Sequence, residues 1–75
     1  MPKYFFHVKR GQMTIIDHHG VELADIAEAT KEASRLGRKI AAEEALSGRP
    51  SSGGMIIIDE GWRTVLELPF ESILP

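Results

Sequence analysis

Seventy-five residues without a cysteine read as one small α+β domain spanning residues 1–75, which neither a disulfide nor a thiolate metal site can brace. A chain this short buries only about 60–65% of its unfolded surface, and association with a second copy is a common remedy. A formal charge of −2 and a pI near 5.9 argue against a generic nucleic-acid binder.

In chain order, residues 4–10 form the first expected strand, with Tyr4, Phe6 and Val8 on one face and Phe5 and His7 on the other. Both faces are therefore apolar. One amphipathic helix covers only one side of a small sheet, so Phe5 calls for a second chain or for the C-terminal tail. Gly11 and Gln12 turn the chain into a second strand over residues 13–17, rich in β-branched residues. His18, His19 and Gly20 follow as a turn, and residues 21–24 as a connector.

Asp25 and Glu28 fit the N-cap and partner of a variant capping box. Behind them Ile26, Ala29, Ala33, Leu36, Ile40 and Ser47 lie on one stripe of a 3.6-period helix, with Leu36 and Ile40 expected at its centre. Gly37 costs about 1 kcal/mol in a helix interior, which points to close packing there. Gly48 suits the position after the helix, and Pro50 cannot continue it.

After a loop over residues 49–54, the third strand is expected at 55–58 and the fourth at 62–68, joined by Asp59-Glu60-Gly61 as the turn. Alternation puts Thr64, Leu66 and Leu68 on one face of the last strand and Arg63, Val65 and Glu67 on the other. Pro69 ends the pairing or sits on an edge. Phe70, Ile73 and Leu74 form an apolar tail, a helical turn folded back onto the core. The β-β-α-β-β order predicts a four-stranded antiparallel sheet in spatial order 2-1-3-4, ahead of 3-4-1-2, with the helix on one face.

The segments Pro2-Lys3-Tyr4-Phe5-Phe6-His7-Val8, Asp17-His18-His19-Gly20-Val21-Glu22-Leu23 and Val65-Leu66-Glu67-Leu68-Pro69-Phe70, with an Ala- and Glu-rich helix between, carry a resemblance. Together they are similar to a family of short bacterial proteins, a domain of unknown function with a Tyr-Phe-Phe-His opening and a Leu-Pro-Phe ending. The resemblance implies a self-contained small domain with no fused enzyme. It implies no role for His18 and His19, which stand where acidic or polar residues are expected in relatives.

Chemistry finds little footing. His7, His18, His19 and Asp17 raise the question of a metal, but adjacent histidines in an extended segment point apart and no helical i, i+4 pair exists, so no metal is expected. His7 within an apolar strand is expected to be structural or interfacial, with a hydrogen-bond partner. Lys31, Arg35, Arg38 and Lys39 form a candidate basic face, but Glu28, Glu32, Glu43 and Glu44 nearly cancel its charge. Glu28–Lys31 and Glu32–Arg35 are spaced to pair along the helix.

The serines lack the His/Asp pattern of an activated nucleophile, and Gly53-Gly54 lacks the lysine and the strand-to-helix context of a phosphate loop. No enzyme activity and no cofactor are expected. Phe5, His7, Trp62 and Arg63 are the candidate interface, Trp62 being either a partner anchor or a cover for the sheet edge.

No run approaches the roughly 20 apolar residues of a membrane span, and no leader is read at the start, so the cytoplasm is the expected compartment. The reading is a self-associating, non-enzymatic protein-binding module, expected as a homodimer. The alternative is a DNA-associated regulatory protein, since a hairpin followed by an Ala/Glu-rich helix is loosely similar to the antitoxins of toxin–antitoxin pairs.

Overall fold

The computed structural model describes residues 1–48 and 54–73. Its elements are β1 (Lys3–Arg10), β2 (Met13–Ile15), β3 (Val21–Glu22), α1 (Ile26–Leu46), β4 (Gly54–Glu60), β5 (Arg63–Pro69) and α2 (Phe70–Ile73). All strands pair antiparallel, and the main path through the sheet runs β2-β1-β4-β5. This is the expected 2-1-3-4 order, with the two most apolar strands in the middle.

The sheet has five strands rather than four. Val21 and Glu22, expected as connector, pair with Tyr4 and Lys3 on the same edge of β1 that β2 occupies further along. The second strand is correspondingly shorter than expected, because Ile16 and Asp17 leave the ladder. Both hairpins turn on two residues, Gly11-Gln12 and Gly61-Trp62, each with a positive-φ glycine first. Asp59 and Glu60 therefore belong to β4 rather than to the turn.

Residues paired across a ladder point to the same face. Tyr4, Phe6, Val8, Ile56 and Ile58 face α1 and are buried with Ala29, Ala33 and Phe70. Phe5, His7, Lys9, Met55, Ile57 and Asp59 face the other way, onto a side where no helix lies among the described residues. The register of β4 against β5 shifts between Ile58 and Asp59: Ile58 pairs with Leu66 and Asp59 with Thr64, leaving Val65 as an extra residue. Thr64 thus joins Asp59 on the open face, and strict alternation fails there.

Asp25 caps α1 through its carboxylate, which accepts the Glu28 N–H at 2.9 Å. The buried line of α1 is Ala29, Ala33, Gly37 and Ala41, an i, i+4 row. Leu36 and Ile40 flank it half-buried, while Ile26 and Ser47 are exposed, so the expected stripe is rotated toward its smallest members. The reason is proximity. A Cβ added at Gly37 would lie 2.9 Å from Ile73 Cδ1 and 3.5 Å from Ile56 Cδ1, leaving no room between α1, β4 and α2 for a side chain larger than a methyl group.

Gly48, at φ +76°, ends the helix as expected. Pro50, Leu74 and most of the expected 49–54 loop lie outside the described residues; Gly54 opens β4. The tail forms its helical turn and buries Phe70, but on the α1 side of the sheet. Its described residues, Phe70–Ile73, do not cover Phe5.

Candidate functional site

The cover over Phe5 comes from the connector between β2 and β3. A Cβ added at Gly20 would lie 2.9 Å from the Phe5 ring and 3.0 Å from Lys3 Cγ, so the connector backbone rests directly on that aromatic. Gly20 also has φ +72°, a left-handed conformation that glycine adopts without penalty.

Asp17 holds the connector in place. One carboxylate oxygen, Oδ2, accepts the Phe6 backbone N–H at 3.1 Å, in the stretch of β1 edge that neither β2 nor β3 pairs. The side chain there substitutes for a strand carbonyl. The other oxygen, Oδ1, accepts the N–H groups of His19 at 3.0 Å and Gly20 at 3.2 Å, closing an Asx turn. Burial alone would raise the Asp17 carboxyl. The N–H groups of Phe6, Gly20 and His19, with His7 adding its charge, outweigh burial and hold the pKa below the ordinary aspartate value.

His7 completes the clasp. Its Nδ1 accepts the Asp17 backbone N–H at 3.0 Å, and its Nε2 lies 3.0 Å from Asp59 Oδ2. An Nδ1 that faces a donor must present its lone pair, so the neutral ring carries its proton on Nε2 and donates it to Asp59. Asp59 Oδ1 in turn accepts the Thr64 hydroxyl at 2.7 Å. The β-bulge is what brings Thr64 to this face.

Thr64, Asp59 and His7 form a chain of hydrogen bonds, but in an order that activates nothing. The threonine hydroxyl is tied to the carboxylate, whereas an activated nucleophile needs contact with the base. Burial raises the Tyr4 phenol, and the nearby Glu60 and Asp25 carboxylates raise it further, so Tyr4 is held neutral. Among the described residues, no group of three His, Cys, Asp or Glu side chains is placed to hold a metal ion. Asp17 aims its oxygens at backbone N–H groups, and His18 and His19 are exposed.

Of the candidate interface residues, Phe5 and His7 share the open face, half-buried. Trp62 and Arg63 stand elsewhere, at the β4–β5 turn, where with Pro2, Lys3, Glu60 and Gly61 they line a shallow, open depression. Trp62 is 102% exposed and covers no part of the sheet. On the basic face, Lys31 pairs with Glu28 at 3.5 Å and Arg35 pairs with Glu32, so two of its four cations are already matched.

Two features escape the sequence. Arg10 reaches Glu44 near the end of α1 and lies 5.0 Å over the Phe70 ring, joining β1, α1 and α2. Met13, Ile15 and Val21 share the helix-side face at the β2/β3 edge, and Ile26 is the first residue of α1; all four are exposed, Met13 at 68% and Ile15 at 58%. Asp-x-x-Gly over residues 17–20 was a legible sign of the Asx turn. Nothing in the sequence pairs Arg10 with Glu44.

The architecture is thus a small α+β sandwich of one principal helix on an antiparallel sheet, with a polar clasp across its open face. The family described as a domain of unknown function (DUF6894) matches residues 3–71, and the chain belongs to it. No curated protein and no solved structure matches the chain. Among the described residues, no helix is long and apolar enough to cross a membrane.

Proposed function

We propose that this domain is a non-enzymatic interaction module that self-associates through the helix-side surface of its β2/β3 edge. The supporting observation is that Met13, Ile15 and Val21, all on the helix side of this edge, are exposed, as is Ile26 at the start of α1. Exposed apolar side chains gathered on one surface, unlike scattered ones, mark association sites. A second copy presents the same patch, and a two-fold axis brings the two together isologously. The open face has less need of a partner, because the connector already rests on Phe5.

Sedimentation at low and high micromolar concentration tests the proposal. The parent chain is expected to dimerise as concentration rises. Ile15→Lys is expected to stay monomeric, while Thr14→Lys, one residue away on the opposite face, remains dimeric. A parent monomeric throughout would refute self-association. The reverse pattern of variants would move the interface to the face of Phe5 and His7. A DNA mobility shift that weakens with salt would favour the DNA-associated reading instead, although the paired Lys31 and Arg35 leave little free charge for phosphates.

A further inference from the structure

We propose that His7 is a proton-operated latch: the neutral ring holds the 16–20 connector on the open face of the sheet, and protonation at Nδ1 releases the connector and uncovers Phe5. The argument begins with the two ring nitrogens, which play opposite roles. Nε2 donates to Asp59, and Nδ1 accepts the Asp17 N–H. A proton arriving from solvent can bind only the Nδ1 lone pair. The ring then carries an N–H on both nitrogens, and the Nδ1 hydrogen meets the Asp17 N–H head on. That hydrogen bond is lost, and two donors face each other across 3.0 Å.

The surroundings decide which side of the ring gives way. Toward Asp59 on β4 protonation strengthens the contact, because a hydrogen bond to a carboxylate becomes an ion pair. The connector gains only a through-space attraction between the charged ring and the Asp17 carboxylate, while it loses the hydrogen bond from the Asp17 N–H. The Asp17 carboxylate could satisfy the new Nδ1–H only by turning from the Phe6, His19 and Gly20 N–H groups that it holds. Either response undoes the clasp. The other charged groups on this face are Lys3 and Lys9 on β1, which oppose a positive ring, and Glu67 on β5 and Glu22 on β3, which favour it. With Asp17 and Asp59 the carboxylates number four against two lysines, so the face tolerates an imidazolium. Asp17 remains ionised while the ring titrates, because its own pKa is held low.

The test uses the full chain carrying His18→Gln and His19→Gln, which leaves His7 as the sole imidazole. Both replaced side chains are exposed, so folding is preserved. Ring nitrogen shifts and amide protection factors are followed by NMR from pH 8 downward. At high pH the ring is expected as the Nε2–H tautomer with a protected Asp17 amide. As the ring protonates, protection at Asp17 and Gly20 is expected to fall at least tenfold and the Phe5–Gly20 contact to vanish, while Ile57 on β4 stays protected. An Nδ1–H tautomer at high pH, or Asp17 protection unchanged through the titration, would overturn the latch. So would loss of Ile57 protection with the same midpoint, which would mean global unfolding rather than release of a connector.

Discussion

Asp17 does the work of a missing strand segment. Between β2 and β3 the edge of β1 has no backbone partner, and the Asp17 carboxylate takes the Phe6 N–H that a carbonyl would otherwise accept. Hydrogen bonds to a charged group contribute about 1.5–3 kcal/mol each at most sites, and leaving a half-buried N–H unpaired adds its own cost. Asp17→Ala is therefore expected to destabilise the domain by about 2–3 kcal/mol at pH 7. The effect has a definite pH dependence. The folded carboxyl sits below its ordinary value, so its charge-dependent contribution is present above the unfolded aspartate pKa and is lost as pH falls through the folded one. Urea melts at pH 7 and pH 3 should show a smaller gap between parent and Asp17→Ala at the lower pH. An equal gap would show that the charge contributes nothing.

At the scale of the element, α1 packs through absence of volume. The Ala29, Ala33, Gly37, Ala41 row lets the helix approach β4 and α2, and the larger Leu36 and Ile40 lie to its side. Two substitutions separate close packing from propensity. Ala33 is fully buried, so Ala33→Leu inserts three carbons where none fits, and it should cost about 1–3 kcal/mol or more. Gly37→Ala meets only the far end of Ile73 at 2.9 Å, a half-buried side chain in a four-residue helix at the edge of the core. The gain in helix propensity of about 1 kcal/mol offsets that displacement, so the variant should melt within about 0.5 kcal/mol of the parent. Comparable losses in the two variants would mean that α2 is as rigid as the sheet.

For the whole molecule, the sheet is unevenly covered. Its centre, β1 and β4, is buried beneath α1 and Phe70 of α2, while the helix side of the β2/β3 edge keeps its apolar side chains in water. A dimer built on that edge couples assembly to stability by mass action. The thermal midpoint of the parent should rise by a few degrees for each tenfold increase in concentration, and that of Ile15→Lys should not move. A parent midpoint independent of concentration over the micromolar range would show that the edge adds no stability.

What the chain determined by itself was local. Period-2 and period-3.6 patterning, Asp25 as cap and the turn glycines at 11, 48 and 61 specify the strands and helix, and the β-β-α-β-β order with antiparallel pairing leaves few arrangements. Each signal is carried by neighbours in sequence, so each is legible there. Only the tertiary structure decided the rest. The bulge that turns Thr64 toward Asp59, the two-residue β3, and the His7–Asp59 contact across 52 positions depend on which strands lie side by side. The helix phase was set by distance to the sheet rather than by hydrophobicity, which is why alanines and a glycine displaced Leu36 and Ile40 from its centre. Phe5 poses the same contrast. Its apolar face was plain from alternation, but its cover is a backbone at Gly20, and a residue without a side chain leaves no hydrophobic mark in a sequence.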